Sequence, residues 1–214
     1  DAARLRLVPN GVDPLYAALG AAPRGRRDAR APFTFAFVGR LVPEKGLDTL
    51  LGALRRVRDA GIDARLVLAG DGPERERLQQ CARVLRVDDA VEWLGAQPDG
   101  RAALARADAF AMSSVSEGVP MALLEAMSAG LPCVATDVGG IAAALADGRG
   151  LVVPPSRPAE LADAMRRVAT DAALARALGE AARAAMQRQY SIDAVVDAYL
   201  DTFGLPAAWG SRAA

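Results

Sequence analysis

The chain has 214 residues, and just over half of them (52%) are apolar, which is enough to build the buried core of an α/β domain. Its 26 basic and 26 acidic residues cancel, so no net charge draws it to nucleic acid or to an anionic membrane. The absence of histidine removes the commonest general base and the commonest zinc ligand, so any acid or base chemistry must use carboxylates or lie outside this chain.

The two cysteines, Cys81 and Cys133, are far apart in the sequence, and neither lies in a metal-binding pattern. No apolar run reaches the roughly 18 residues that a membrane-spanning helix needs, and the amino terminus lacks the apolar core of a secretory signal. These features predict a cytoplasmic protein with two reduced, structural thiols.

Short β-like runs alternate with helix-patterned stretches from Phe33 onward. The predicted strands cover residues 33–38, 65–69, 91–94, 109–112, 133–136 and 150–153. The predicted helices cover residues 47–57, 73–85, 101–107, 120–129, 156–190 and 192–203, the last with Ser191 as its N-cap. This alternation predicts an α/β fold, a single doubly wound Rossmann-like domain with a parallel sheet.

Ligands of such sheets bind beyond the carboxyl ends of the strands, so the turns that follow the strands are the places to search. The turn after the first strand carries Arg40 and Lys45, five positions apart. A guanidinium and an ammonium group at a helix start can hold a phosphate. The alternative is a pair of ordinary solvated surface charges.

A second turn, residues 113–120, leads into a helix whose start can also bind an anion. Within that helix Leu123, Leu124 and Met127 form the core-facing stripe, whereas Glu125 is a carboxylate among apolar residues. Such a carboxylate is usually paired, or it accepts hydrogen bonds from a ligand's hydroxyl groups. Alternatively, Glu117 offsets the helix dipole and Glu125 is a rim residue in water.

Glycine-rich turns at residues 70–73 and 137–140 allow a close backbone approach to a ligand, but tight turns need glycine as well. Each turn taken alone is weak support for a site.

Taken together, these segments resemble the carboxyl-terminal domain of family 4 retaining glycosyltransferases, the second half of a GT-B fold. The short signatures are Arg-x4-Lys, here Arg40 and Lys45, and Glu-x7-Glu, here Glu117 and Glu125. The longer matching segments are PNGVD (9–13), FVGRLVPEKGLDTLL (37–51), LVLAGDGPE (66–74), VEWLG (91–95), SSVSEGVPMALLEAMSAGLPCVATDVGG (113–140) and GLVVPP (150–155).

The resemblance implies that the site binds a UDP- or GDP-linked sugar and catalyses hexosyl transfer with retention and without an essential metal. Arg40 and Lys45 would hold the diphosphate, Glu117 would lie beside the transferred sugar, and Glu125 would accept hydrogen bonds from the ribose. The other residues assigned to donor binding are Gly39, Gly70, Leu94, Gly118, Val119 and Met121.

The resemblance also implies a domain organisation. Residues 1–13 would be an interdomain linker, 14–190 the donor-binding domain, 191–203 a crossover helix and 204–214 a tail. An amino-terminal acceptor domain would be missing, so we expect a fragment, a truncated chain or one half of a split enzyme. Through that domain the enzyme could also bind peripherally to the inner membrane. The resemblance implies a role in surface polysaccharide or glycolipid synthesis.

Two positions depart from the family pattern. Ala142-Ala143 replaces a Pro-Glu pair after the paired glycines, and Ile192 replaces a tryptophan beside Ser191. Two other functions remain open at this point: a nucleotide-sugar-binding domain without catalysis, and a nucleotide-sugar epimerase of the same architecture.

Overall fold

The computed structural model describes residues 6, 8, 10–21 and 31–205. Its six strands form one parallel sheet in the order β3-β2-β1-β4-β5-β6. The strands are β1 (Phe33–Val38), β2 (Ala64–Ala69), β3 (Val91–Gly95), β4 (Ala109–Met112), β5 (Cys133–Thr136) and β6 (Leu151–Val153). Each agrees with its predicted position to within one residue, which confirms the predicted parallel sheet.

Helices precede and connect these strands. They are α1 (Pro14–Ala21), α2 (Leu47–Asp59), α3 (Arg75–Val84), α4 (Arg101–Leu104), α5 (Met121–Ser128), α6 (Ile141–Ala144), α7 (Pro158–Thr170), α8 (Ala172–Gln189) and α9 (Ile192–Phe203). Short 3-10 turns at Pro43–Lys45 and Asp88–Ala90 complete the connections.

The sheet is covered on both faces. Every residue of β4 and β5 is buried, as expected of central parallel strands that have helices on each side. Right-handed crossovers leave β1 in one direction and β4 in the other, which places their helices on opposite faces. Accordingly, α2 packs against α7, and α5 packs against α1 and α8.

The apolar stripes predicted for α2 and α5 form part of the core. The buried α2 residues include Leu47, Leu50, Leu51, Leu54 and Val57, and in α5 Leu123, Leu124 and Met127 are fully buried. Both cysteines are free, with Cys133 buried in β5 and Cys81 half-buried in α3.

Several helix predictions need correction. The stretch 156–190, predicted to be nearly all helical without an internal boundary, contains two helices separated at Asp171, whose carboxylate accepts a hydrogen bond from Leu174 N (2.9 Å) and caps α8. The helix predicted to end at residue 107 ends at Leu104, and the one predicted from Pro73 begins at Arg75. Pro120 is the cap that precedes α5 rather than a residue of its first turn.

Two helices, α1 and α6, were not predicted. The sequence of α1 is almost entirely apolar and so lacks the polar face that makes a helix recognisable. Its start nevertheless carries a signal, because Asp13 is followed by a proline at the first helical position. The Asp13 carboxylate accepts a hydrogen bond from Leu15 N at 2.8 Å.

The amino- and carboxyl-terminal segments meet at α9. Val12 N donates to Tyr190 O (3.0 Å), and Ser191 is the predicted N-cap, accepting from Ala194 N at 3.2 Å. Of the stripe predicted for α9, only Val195 is buried, whereas Ile192, Val196 and Tyr199 are exposed in the described part of the chain. Pro9 of the PNGVD segment and residues 206–214 of the tail lie outside the described residues.

No helix in the described part of the chain combines the length and the apolar character that crossing a bilayer requires.

Candidate functional site

The centre of the sheet has the topology of a binding crevice. Strands β1 and β4 are neighbours, and the connections leave them in opposite directions, which opens a crevice at their carboxyl ends. Arg40 follows β1, and Ser113 and Ser114 follow β4. The two turns singled out in the sequence therefore lie side by side.

Direct hydrogen bonds join these two turns. Val115 N donates to Glu44 O at 2.8 Å, and the Ser113 hydroxyl donates to Lys45 O at 3.0 Å. Gly46 makes the approach possible, because its φ is +55° and a Cβ there would lie 2.4 Å from Ser113 O. The backbone around Lys45 is thus fixed by residues that follow β4.

Lys45 and Glu117 form an ion pair at this junction. Lys45 Nζ lies 2.5 Å from Glu117 Oε1, and the Ser114 hydroxyl donates to the same oxygen at 2.7 Å. The two charged side chains are only 18% and 10% exposed. The ammonium charge is therefore already neutralised by a neighbouring carboxylate.

A cleft of about 520 Å³ adjoins this ion pair. Its lining includes five of the predicted site residues: Gly39, Arg40, Gly70, Met121 and Glu125. A Cβ placed on Gly39, which lines the cleft, would lie 3.6 Å from Lys45 Cε, so the lysine side chain passes beside this glycine without itself lining the cleft. Arg40 is exposed at the cleft.

Gly70 allows the closest backbone approach in the cleft wall. Its φ is +143°, and a Cβ there would lie 1.8 Å from Gly39 O, so no side chain fits at this position. Gly70 N donates to Gly95 O at 2.8 Å, which joins the ends of β2 and β3. The three strand ends are held together by backbone contacts.

Glu125 extends from α5 into the cleft and is half-buried. Burial raises the pKa of its carboxyl group; a hydrogen bond from the Tyr16 hydroxyl opposes this shift, and the negative charge of Asp99 adds to it. The Tyr16 oxygen also accepts a hydrogen bond from Gly100 N at 3.3 Å. Among the described residues, the group that favours the ionised form of Glu125 is thus a hydroxyl group, and no ion pair joins this carboxylate to a cation.

The predicted residues Gly118 and Val119 precede Met121, which lines the cleft, but they do not line it themselves. Gly118 and Val119 are exposed in the turn before α5, and Gly118 O accepts a hydrogen bond from Gly140 N at 2.7 Å. Gly139, with φ +56°, packs so closely that a Cβ would lie 2.0 Å from Glu117 O. The second glycine turn therefore supports the backbone of Glu117 and Gly118.

Next to β3 the cleft is lined by the loop that follows this strand, and the predicted residue Leu94 is not among the lining residues. The residues after β3 that line it are Ala96, Gln97, Pro98, Asp99 and Gly100. Leu94 is half-buried, and its carbonyl accepts a hydrogen bond from the Gln97 side-chain amide at 2.9 Å.

Sequence reasoning missed Tyr16, Asp99 and Gly100 as site residues. Tyr16 lies on the unpredicted helix α1, so its approach to α5 depends on a tertiary contact that no local pattern reveals. The available signal was the helix start at Asp13-Pro14, which places Tyr16 in a first turn.

A second cleft of about 550 Å³ lies at the opposite edge of the sheet, where the strands have their amino-terminal ends. Its lining includes Thr34 and Arg65 at strand starts, together with Glu92 and Arg106, which pair with each other at 2.5 Å. Because ligands of open α/β sheets bind at the carboxyl ends of strands, the cleft with Arg40 and Glu125 is the better candidate.

Across the described residues, no group of three or more cysteine, aspartate and glutamate side chains is arranged to hold a metal ion. Metal independence remains a prediction.

The sequence is similar to several characterised proteins. A family model described as glycosyl transferases group 1 matches residues 25–185. An exopolysaccharide phosphotransferase of Streptomyces coelicolor is 34% identical over 205 residues, covering 94% of this chain and 21% of that protein. A D-inositol 3-phosphate glycosyltransferase of Actinosynnema mirum is 37% identical over 227 residues, covering 95% of this chain and 52% of that protein.

The fold matches solved structures as well. The Anabaena protein Alr3699/HepE, solved in complex with UDP, superposes with a TM-score of 0.81 at 23% identity, covering 93% of this chain and 57% of that one. This likeness confirms the predicted fold. The chain spans a fifth of the first relative and about half of the other two.

Proposed function

Because the chain belongs to the group 1 glycosyl transferases, we propose that it is the donor-binding domain of a family 4 enzyme that transfers a hexose from a UDP- or GDP-linked sugar with retention. The observation that carries the proposal is the convergence of four charged groups at one crevice. Arg40 and Glu125 line the cleft, and Lys45 is paired with Glu117 beside it.

The arrangement suits the chemistry of a leaving diphosphate. When the glycosidic bond breaks, negative charge develops on the phosphate oxygens, and fixed cations stabilise that charge without reorganisation. The Arg40 guanidinium offers a planar pair of donors, and the Lys45 ammonium offers a point charge. In this proposal the two cations do the work that a divalent metal does elsewhere.

Two further observations support a nucleotide donor. Gly70 brings backbone to the cleft wall where a base or ribose would lie, and Glu125 offers carboxylate oxygens to ribose hydroxyls. The solved Anabaena structure of the same fold contains UDP.

Transfer to an acceptor would require a second domain. In support of this, the chain matches about half of the Actinosynnema relative, and the apolar stripe of α9 is exposed in the described part of the chain. The exopolysaccharide relative supports a role in surface polysaccharide or glycolipid synthesis.

Calorimetric titration with UDP, GDP and their sugar conjugates tests donor binding. We expect binding of at least one series, unchanged by a metal chelator, and a loss of about 1.5–3 kcal/mol in Arg40→Ala, the range of hydrogen bonds to charged groups. Arg65→Ala is the matched control, because this arginine lines the cleft at the opposite edge of the sheet. Equal affinity of both variants and the unmodified chain would refute the assignment of Arg40.

Reconstitution with a separately expressed acceptor domain tests the reaction itself. We expect hexosyl transfer, with product whose anomeric configuration by NMR matches that of the donor. Inverted product would refute retention. A sugar epimer formed from the donor alone would identify an epimerase instead.

A further inference from the structure

Tyr16 connects α1 to the functional site. It lies on the first helix, yet its side chain is only 6% exposed and reaches the cleft beside Glu125 and Gly100. Gly100 N donates to its hydroxyl at 3.3 Å, and a Cβ built on the same glycine would lie 3.2 Å from Glu125 Oε2, so the hydroxyl and the carboxylate meet at Gly100. Each group also shifts the pKa of the other, in the directions that a hydrogen bond from the hydroxyl to the carboxylate produces. A tyrosine hydroxyl buried between a backbone amide and a carboxylate has one defined arrangement.

The direction of this hydrogen-bond chain follows from the chemistry of the groups. A phenol has one proton to donate, and its oxygen already accepts from the Gly100 amide, so the proton points to Glu125. Burial and the nearby Glu125 charge raise the pKa of Tyr16 to about 12, which keeps the hydroxyl protonated at physiological pH. One face of the carboxylate is therefore fixed, and its remaining acceptor positions can face the cleft.

We propose that Tyr16 is a positioning residue, which orients the Glu125 carboxylate so that its free acceptor positions receive the ribose hydroxyls of the nucleotide. This inference rests on the proposed function, since it assigns Tyr16 a part in the same donor site. It adds the chain's first helix to that site.

The groups around Glu125 determine how the loss of the Tyr16 hydroxyl changes the pKa of this carboxylate. Burial raises the pKa of Glu125, the Tyr16 hydrogen bond lowers it, and Asp99 in the loop before α4 raises it. Asp99 itself is paired with Arg101, and Arg40 lines the same cleft from the end of β1. Removing the Tyr16 hydroxyl deletes the hydrogen bond that favours the ionised carboxylate, so the variant's carboxylate becomes protonated at a higher pH.

The experiment is a calorimetric titration of the 214-residue chain and its Tyr16→Phe variant. UDP and GDP are compared with their 2′,3′-dideoxy analogues, which lack the hydroxyls that Glu125 would bind. We expect the variant to bind the ribose nucleotides about three- to tenfold more weakly and the dideoxy analogues with unchanged affinity. Tyr199→Phe, which removes the hydroxyl of an exposed tyrosine in α9, is the matched control and should change neither affinity.

The pH dependence of nucleotide affinity is a second measurement. It should not change if Tyr16 has only a structural role. Affinity for the ribose nucleotides should fall when Glu125 becomes protonated, and in Tyr16→Phe this fall should begin at a higher pH, because the hydrogen bond that lowers the pKa of Glu125 is gone.

The outcomes separate the two proposals. An unmodified chain that binds no nucleotide would refute the proposed function. A chain that binds nucleotide, with a Tyr16→Phe variant of the same affinity and pH profile, would overturn only the role of Tyr16. Equal losses for ribose and dideoxy nucleotides would also overturn it, because they would show a structural effect rather than an effect on the ribose contact.

Discussion

The two cations of the site have opposite environments. Lys45 is 18% exposed and in contact with the Glu117 carboxylate, whereas Arg40 is exposed at the adjoining cleft. A phosphate that approaches Arg40 meets an exposed guanidinium group that forms no ion pair with any of the described residues. A phosphate that approaches Lys45 must compete with a carboxylate that is itself held by Ser114.

This difference separates structural from binding contributions. Exposed charges contribute little to folding, whereas removal of one partner from a largely buried pair leaves the other charge poorly solvated. We therefore expect Lys45 to contribute to both stability and affinity, and Arg40 to contribute to affinity alone.

The largest expected effect is the loss of stability in Lys45→Ala. The substitution leaves the Glu117 carboxylate, 10% exposed, with the Ser114 hydroxyl as its hydrogen-bond donor. We expect the free energy of unfolding to fall by about 3 kcal/mol, measured by chemical denaturation. Arg40→Ala should change it by less than about 0.5 kcal/mol.

A double variant identifies the cause of that loss. Lys45→Ala combined with Glu117→Gln removes both charges, so it should regain most of the stability lost by Lys45→Ala alone. If the double variant is as unstable as the single one, the loss comes from packing of the lysine stem, and the comparison between the two cations fails.

A smaller effect is expected on the affinity of Glu117→Gln for UDP or GDP without a sugar. The carboxylate competes with phosphate for the Lys45 ammonium, and its neutralisation should free the cation. We expect about threefold to tenfold tighter binding by titration calorimetry, the equivalent of one hydrogen bond. Unchanged or weaker binding would show that Lys45 does not contact the phosphates.

The strands and both signature turns could be predicted because their causes are local. Strands β1, β4 and β5 have the predicted bounds, since buried parallel strands are short apolar runs bounded by turns. The site's position follows from the strand order, because the turns after β1 and β4 must meet at the switch point.

The pairings within the site could not be predicted. The Lys45 and Glu117 side chains belong to different strand-to-helix turns, and their pairing depends on the Ser113 and Val115 contacts that join those turns. Tyr16 was missed for a similar reason, since α1 has no polar face to reveal it and its partner lies on α5. Both are tertiary contacts between segments distant in sequence.

The two carboxylates of the site also differ in their environments. This difference predicts the smallest of the expected effects, a change in stability. Glu117 is paired with an ammonium group, whereas Glu125 is held by a hydroxyl group, and burial raises the pKa of Glu125 above its unfolded value of 4.5. The folded state therefore binds the proton of the Glu125 carboxyl group more tightly than the unfolded state does. Its contribution to stability is present below pH 4.5 and is lost as the pH rises through the folded-state pKa.

Glu125→Gln should consequently be more stable than the unmodified chain at pH 7.5, by up to about 1 kcal/mol, because the amide keeps an acceptor for Tyr16 and carries no charge to desolvate. The difference should disappear near pH 4, and chemical denaturation at both pH values measures it. Glu180→Gln, at an exposed position of α8, is the control and should show no such dependence. A Glu125→Gln variant that is less stable at pH 7.5 would mean that a cation stabilises Glu125, and the contrast with Glu117 would no longer hold.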